Sequence, residues 1–385
     1  LLLDLYCVLS AVLAIIYSFI IGRYIYGWNL LEEWQPPKKI DVSTSISVLI
    51  PARNEAENIL ACIHSILAQD YPLYRFEIIV IDDHSTDTTA TLVQNLEHPS
   101  VRLLSLADHI NESQNQYNSF KKLAISLGVA QASGSLIVTT DADCIAPPTW
   151  LSTLASFHET TQKKFIAAPV VFHRENNLLQ RFQSLDFMGM MLITGAGIRL
   201  RWMYMCNGAN LAYTKQLFQT VGGFDGVGKF ASGDDMFLMH KVLQKYPDQI
   251  GYLKSARAVV KTEAKADLRS FFRQRLRWAS KSAAYQDWKV TLILALVFFF
   301  CCSILLNFLL LPFLGTSILI LLLFQLMLKT LSDYFFLKKS SDYFQKTQLM
   351  RYFLPAQILH ILYIVIIGFW SNIQKNYIWK GRKVR

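Results

Sequence analysis

Two aspartates spaced i, i+2, Asp141 and Asp143, close the apolar, β-branched run Leu136-Ile137-Val138-Thr139-Thr140. Such a run reads as a buried strand that delivers both acids at the turn beyond its C-terminal end. At that turn both carboxylates can face one hard divalent ion. Mg²⁺ and Mn²⁺ take oxygen ligands of this kind and share them with substrate phosphates. The plain alternative is a solvated turn, since Asp-x-Asp is short.

Three further signatures stand in order along the chain. Asp82-Asp83 ends the run Phe76-Glu77-Ile78-Ile79-Val80-Ile81. Asp234-Asp235, after Ser232-Gly233, opens an apolar-periodic segment, where carboxylates also serve as ordinary helix capping. Gln274-x-x-Arg277-Trp278 lies in a basic amphipathic stretch. The bland reading of that stretch is a helix resting on anionic lipid with its tryptophan at headgroup depth, which leaves the glutamine unexplained.

The elements that must position these groups alternate. Strands are expected at 46–50, 76–82, about 101–106 and up to the Asp-x-Asp turn. Helices are expected from the Pro51–Glu55 loop to about Gln69, after Asp87, and over about 119–132. That alternation predicts a parallel, right-handed, doubly wound α/β sheet. Ligands of such sheets bind at the carboxyl ends of the strands. The glycine fingerprint of dinucleotide folds is missing after the first strand, which argues against a nicotinamide or flavin enzyme. Residues 150–230 read as less regular, with one strand over Phe165–Phe172 and a polar turn at Cys206-Asn207-Gly208-Ala209-Asn210.

The 385-residue chain is 52% hydrophobic and 17% charged. Its apolar residues gather at the N-terminus and in the last hundred residues, the pattern of membrane segments flanking another domain. Residues 5–21 are expected to be a retained anchor, and 290–312, 316–336 and 353–370 further apolar segments. The net charge of +10 concentrates beside them, at Arg269, Arg273, Arg275, Arg277, Lys281 and Lys289, and again at Lys375, Lys380, Arg382, Lys383 and Arg385. This fits a cytoplasmic face on anionic lipid plus a diphosphate site. No nucleic-acid motif accompanies it. Three crossings at the C-terminus would place the basic tail outside, so the topology of these segments stays open. The six cysteines show no Cys-x-x-Cys or zinc spacing and read as small hydrophobes of a reducing compartment.

Taken together, Asp82-Asp83, Asp141-x-Asp143, Asp234-Asp235 and Gln274-x-x-Arg277-Trp278, with the opening Pro51-Ala52-Arg53-Asn54-Glu55, resemble the membrane-embedded family-2 glycosyltransferases. Relatives in that family include cellulose, chitin and hyaluronan synthases and ceramide glucosyltransferase. The resemblance implies a GT-A-type nucleotide-sugar-binding domain with flanking transmembrane helices. It implies this organisation: an anchor at 1–27, a linker at 28–43, a cytoplasmic catalytic domain at 44–266, an interfacial helix at 267–289, a transmembrane region at 290–372 and a basic tail at 373–385. An integral protein of a bacterial inner membrane is expected.

Residue by residue, the resemblance places Ala52 and Glu55 at the nucleotide and Asp82 and Asp83 at its uracil or ribose. It places Lys121 near the diphosphate, although Phe120 stands where the family often has glycine. It assigns Asp141 and Asp143 to nucleotide and metal, Mg²⁺ or Mn²⁺, with Asp143 the more direct ligand. Asp235 matches the general base, Asp234 the acceptor side. Gln274, Arg277 and Trp278 would close over the diphosphate and acceptor. One base and no second nucleophilic carboxylate implies inversion. Asp234 stands where processive synthases often have glutamate. The acceptor therefore stays open between a lipid and a growing glycan, the latter with a possible partner subunit. A non-catalytic nucleotide-sugar-binding scaffold is the alternative from another class.

Overall fold

The structure is a computed structural model that describes residues 1–37, 43–109, 119–228, 233–279, 288–373, 377–379 and 382–384. Lys38, Lys39, Ser232, Lys281, Lys375, Lys380 and Arg385, and the 280–287 part of the expected interfacial helix, lie outside the described residues. In chain order the elements are α1 (Leu2–Asn29), β1 (Ile46–Ala52), α2 (Ile59–Leu67), β2 (Phe76–Asp82), α3 (Thr89–Gln94), β3 (Val101–Ser105), α4 (Phe120–Gln131), β4 (Leu136–Thr139), α5 (Trp150–Thr161), β5 (Phe165–Ala167), β6 (Val170–His173) and α6 (Leu178–Leu200). They continue as β7 (Leu211–Thr214), α7 (Lys215–Thr220), α8 (Asp234–Lys245), β8 (Ile250–Tyr252), β9 (Val260–Glu263), α9 (Leu268–Ala279), α10 (Trp288–Leu314), α11 (Thr316–Tyr343), α12 (Phe353–Ile373), β10 (Tyr377–Trp379) and β11 (Arg382–Val384).

The chain divides into two compact units. The sheet unit holds 32–173, 204–263 and 376–385. Its seven-stranded sheet has the order β3-β2-β1-β4-β7-β5-β8. β1 pairs in parallel with both β2 and β4, and β2 with β3. The strand order therefore reverses between β1 and β4, and the carboxyl ends of β1, β2 and β4 share one edge beside that switch point. The central strands are continuous apolar runs because both faces are covered: β1 and β2 are buried almost throughout. Helix α4 seats its Gly128 against Leu49 and Ile81, where an added Cβ would lie 3.1 Å from both side chains.

Two expectations change here. The sheet is mixed rather than wholly parallel, because β7 runs antiparallel to β4 and β5. The Phe165–Phe172 run is two strands: β5 joins the large sheet and β6 pairs with β9. Ala168-Pro169 breaks the run, and proline cannot donate to a ladder.

The helix unit holds 1–31, 174–203 and 264–375. Among the described residues, four of its helices are long and apolar enough to cross a membrane: Leu2–Asn29, Trp288–Leu314, Thr316–Tyr343 and Thr347–Ile373. Its 23-residue α6 occupies a stretch that reads as less regular in sequence. Asn177 caps α6 by accepting from the Gln180 N–H, and Arg201 closes it in the left-handed region. Of the expected interfacial helix the structure describes α9, Leu268–Ala279, and the start of α10 at Trp288.

Candidate active site

At the β1 and β2 ends the chain forms two interlocked loops. The Asp83 N–H donates to the Ala52 carbonyl at 2.8 Å. Arg53 Nη1 donates to the carbonyls of Asp83 at 2.7 Å and His84 at 3.1 Å. Asn54 and His84 both adopt positive φ, at 50° and 53°, in the left-handed region that asparagine and histidine enter more readily than most residues. Hydrogen bonds fix the Asn54 turn: its Oδ1 accepts from Thr86 N at 2.8 Å, and its own N–H donates to Ser85 Oγ at 3.0 Å. The Glu55 N–H donates to Thr89 Oγ1 at 2.8 Å, and Glu55 Oε2 accepts from Asn58 Nδ2 at 3.1 Å. Asp82 and Asp83 are both buried. Asp82 Oδ2 accepts from Ser85 N at 3.1 Å, while its Oδ1 is buried with no hydrogen-bond partner. A buried orphan acceptor at a strand end is suited to a ligand hydroxyl or N–H.

A second cluster gathers at the β4 end. Lys121, in the first turn of α4, donates to Asp141 Oδ1 at 2.6 Å and lies 3.7 Å from Asp234 Oδ2. Burial alone would lower the Lys121 ammonium, but the carboxylates of Asp141, Asp234 and Asp235 outweigh it and hold the pKa above the usual lysine range. Cations are disfavoured at a helix N-terminus, so these acids are what makes Lys121 tenable there. Asp234 and Asp235 open α8 after Gly233, which takes φ 78°; carboxylates complement the dipole at that end.

The turn that joins these groups is Asn207–Asn210. β7 pairs Leu211 with Thr139, so the residues just before β7 reach the same edge as the β4 end. Thr139 Oγ1 donates to the Gly208 carbonyl at 2.9 Å, and the Gly208 N–H donates to Asp235 Oδ2 at 3.0 Å. A Cβ on Gly208 would lie 3.3 Å from Asp234 Oδ2, 3.7 Å from Asp235 Cβ and 3.7 Å from Lys121 Nζ. The sequence marked this turn as polar but gave it no role; its glycine between an asparagine and alanine was the available signal. Lys122 was also missed. It is 2% exposed, donates to the Val227 carbonyl at 3.1 Å and lies 4.7 Å from the Phe237 ring centroid. Burial pushes its ammonium down to about 8, against the opposing pull of Asp234 and Asp235.

Asp141 and Asp143 offer hard oxygen donors suited to Mg²⁺ or Mn²⁺. Among the described residues no group of three or more His, Cys, Asp or Glu could hold a metal alone. Two carboxylates at one turn would leave the other positions of such an ion to substrate oxygens and water, the usual habit of Mg²⁺.

In the helix unit, α9 carries Gln274, Arg277 and Trp278. Gln274 Oε1 is buried with no hydrogen-bond partner, and Trp278 and Arg277 are half-buried. Arg275 departs from expectation: rather than facing lipid with its basic neighbours, it is 1% exposed and ion-paired to Asp186 at 2.8 Å. Within each unit the expected residues gather: Ala52, Glu55, Asp82 and Asp83 at one loop pair, Lys121, Asp141, Asp234 and Asp235 at one cluster, Gln274, Arg277 and Trp278 on one helix.

A family model described as glycosyl transferase family 2 matches residues 47–222. A second, glycosyl transferase family group 2, matches 136–337, just over half of the chain. The chain is 26% identical over 281 residues to a hyaluronan synthase of Streptococcus pyogenes, covering 68% of this chain and 63% of that protein. It is 30% identical over 147 residues to the glycosyltransferase AglE of Haloferax volcanii, covering 38% of this chain and 46% of that protein. The chain thus spans between about half and under two thirds of these relatives. A mannosyltransferase from Pyrobaculum calidifontis, solved in complex with GDP-Man and Mn²⁺, shares the fold with a TM-score of 0.58 at 18% identity, over 91% of this chain and 98% of that one.

Proposed function

The chain belongs to glycosyl transferase family group 2, and on that premise we propose that it moves a sugar from a nucleotide diphosphate donor, a UDP-sugar, to a lipid or glycan acceptor at a membrane, with inversion and with a divalent metal. The observation that carries this reading is the set of acids from β2, β4 and α8 around one sheet edge, with Lys121 and the Gly208 turn between them.

In this reading Ala52, Glu55, Asp82 and Asp83 receive the nucleoside, the orphan Asp82 Oδ1 taking a ribose hydroxyl or base N–H. Asp141 and Asp143 hold Mg²⁺ or Mn²⁺, which when bound neutralises charge building on the leaving diphosphate. That a mannosyltransferase of the same fold was solved with Mn²⁺ supports the ion. Lys121 adds a fixed positive charge for the same phosphates. Asp235 takes the acceptor hydroxyl proton as the new glycosidic bond forms at the anomeric carbon and the bond to diphosphate breaks. The Gly208 N–H on its Oδ2 orients that carboxylate. One base acting from the face opposite the leaving group gives inversion. Gln274 and Arg277 are assigned to the diphosphate, and Trp278, with Asp234, to the acceptor, on the chemistry of the motif. The domain boundaries and a cytoplasmic catalytic unit belong to the same reading, supported by the lysines and arginines beside the apolar segments. The similarity to a hyaluronan synthase across 68% of the chain favours a second reading, a polymer-forming synthase that works with a partner subunit.

The test uses the full chain in lipid nanodiscs with Mn²⁺ and a panel of radiolabelled UDP- and GDP-sugars. Label entering the lipid extract supports glycolipid synthesis. Label in a lipid-insoluble polymer supports the synthase reading. No turnover of any donor, and no donor binding, overturns both.

A further inference from the structure

We propose that Arg275 is a positioning residue for Trp278: its guanidinium, anchored by Asp186, fixes the indole that the foregoing reading assigns to the acceptor, and the proposal rests on that reading for its functional meaning. Helix α9 turns Phe271, Arg275 and Trp278 to one side, at i−4, i and i+3. Burying a guanidinium is costly before any compensation. Here the compensation is incomplete. The Nη2–Oδ2 contact to Asp186 is an ion pair at 2.8 Å, yet both atoms, and Arg275 Nε, lack a hydrogen bond of good geometry. The attraction there is therefore Coulombic. Nη1 donates to the soft Met190 Sδ at 3.7 Å. A leucine would fill this place without stranded donors.

What the arginine gains is aromatic contact. Its guanidinium carbon lies 4.5 Å from the Trp278 ring centroid, 5.3 Å from Phe271 and 5.7 Å from Tyr363. A cation on an indole is the strongest pairing of this type, and more so when desolvated. Helix α6 grips both partners through neighbouring residues. Asp186 holds the guanidinium, and Phe187 packs against Trp278 with ring centroids 6.2 Å apart. Tyr363 brings in α12. The indole is thus set against a charge held by contacts from α6, α9 and α12.

The test reads the ring itself. The full chain is labelled with 5-fluorotryptophan in nanodiscs of phosphatidylethanolamine and phosphatidylglycerol, and the Trp278 ¹⁹F resonance is identified by its loss in Trp278→Phe. Two variants follow: Arg275→Lys keeps the charge, and Arg275→Met/Asp186→Leu removes both charges so that no ion is left buried alone. We expect the Trp278 resonance to shift by more than its linewidth and to broaden in the double variant, and to move less in Arg275→Lys. Trp202, which stacks on Arg23 at 5.0 Å, should stay in place. An unmoved Trp278 resonance in both variants overturns the proposal, and so does a shift of every tryptophan, which would mark a general packing role. The acceptor assignment fails separately: Trp278→Ala with unchanged transfer in the donor panel would sink that reading while leaving the ring measurement intact.

Discussion

The two units solve burial in opposite ways. In the sheet unit the central strands are apolar and the acids sit at strand ends, with Lys122 a buried exception. Ile79 and Val80 are fully buried, and chemistry-bearing groups are pushed to the edge where backbone turns can satisfy them. In the helix unit polar groups lie inside. Lys329 is 1% exposed and donates to Asp333 Oδ2 at 2.5 Å, and Tyr17 donates to Asp333 Oδ1 at 2.6 Å. Asn307 donates to Gln325 at 2.7 Å, and Gln325 to Ser303 at 2.9 Å. Meanwhile Phe308, Leu309 and Phe335 are exposed. Water as solvent drives the first arrangement; a hydrocarbon solvent tolerates the second, because polar side chains there find partners only in one another. An ionisable pair inside such helices fixes register where apolar packing against lipid offers little preference.

The largest effect is expected at the edge of the sheet unit. Asp235→Asn keeps the side chain's size and removes its basicity, so donor binding should persist while transfer falls by about 10²–10⁴-fold. Transfer near the wild-type rate would show that the acids at this edge are capping groups. Asp143→Ala should lose the gain in donor affinity on adding Mn²⁺, read by titrating fluorescent donor with and without the ion. Equal gains in both proteins would remove the metal from Asp143.

In the helix unit the matching change should act on stability. Lys329→Met strands Asp333 among apolar helices, and breaking a buried pair from one side costs about 3–5 kcal/mol. Lys329→Met/Asp333→Leu should recover most of that loss in thermal unfolding from nanodiscs. A single variant as stable as the wild type would mean the pair is wet, and the contrast between the units would weaken. A smaller contrast concerns apolar residues. Ile79→Ala should cost about 2–5 kcal/mol, as deletions in packed cores do. Phe308→Ala, at a side chain 65% exposed, should change stability by about 0.5 kcal/mol or less.

These contrasts also explain what was legible in the sequence. The strand ends could be read because β2 and β4 are short apolar runs cut off by acids and β1 is one cut off by the Pro51–Glu55 loop, and period and punctuation coincide there. The apolar helices could be read from composition. α6 could not: its Ser184, Asp186 and Thr194 interrupt any lipid-like stretch, and its apolar residues face several neighbours at once. Arg275 was misread because a basic helix beside a membrane predicts lipid contact for every arginine, and only packing reveals the one that turns inward. Gly208 could be read as a turn residue but not as part of a site, because its contribution is a missing Cβ and one N–H, set by an antiparallel strand that local pattern does not announce.

The last expectation compares two buried lysines. Lys329 has a carboxylate in hydrogen-bond contact. Lys122, 2% exposed, donates to a carbonyl and faces the Phe237 ring, and burial holds it down to about 8. An unfolded lysine titrates near 10.4. Between about pH 8 and 10.4 the unfolded chain therefore binds more protons than the folded one, and folding stability should rise with pH across that window. Below pH 8 both states are protonated and the full cost of burying the charge is present. Lys122→Met removes this cost but also the carbonyl hydrogen bond and the ring contact, so the net gain near pH 7 should be on the order of 1–2 kcal/mol. That gain should shrink toward pH 10 and then reverse as the wild type sheds its charge. The check is the difference in Tm between the two proteins at pH 7, 8.5 and 10. A difference that does not change with pH would mean that Lys122 keeps its charge across this window and that burial does not set its titration.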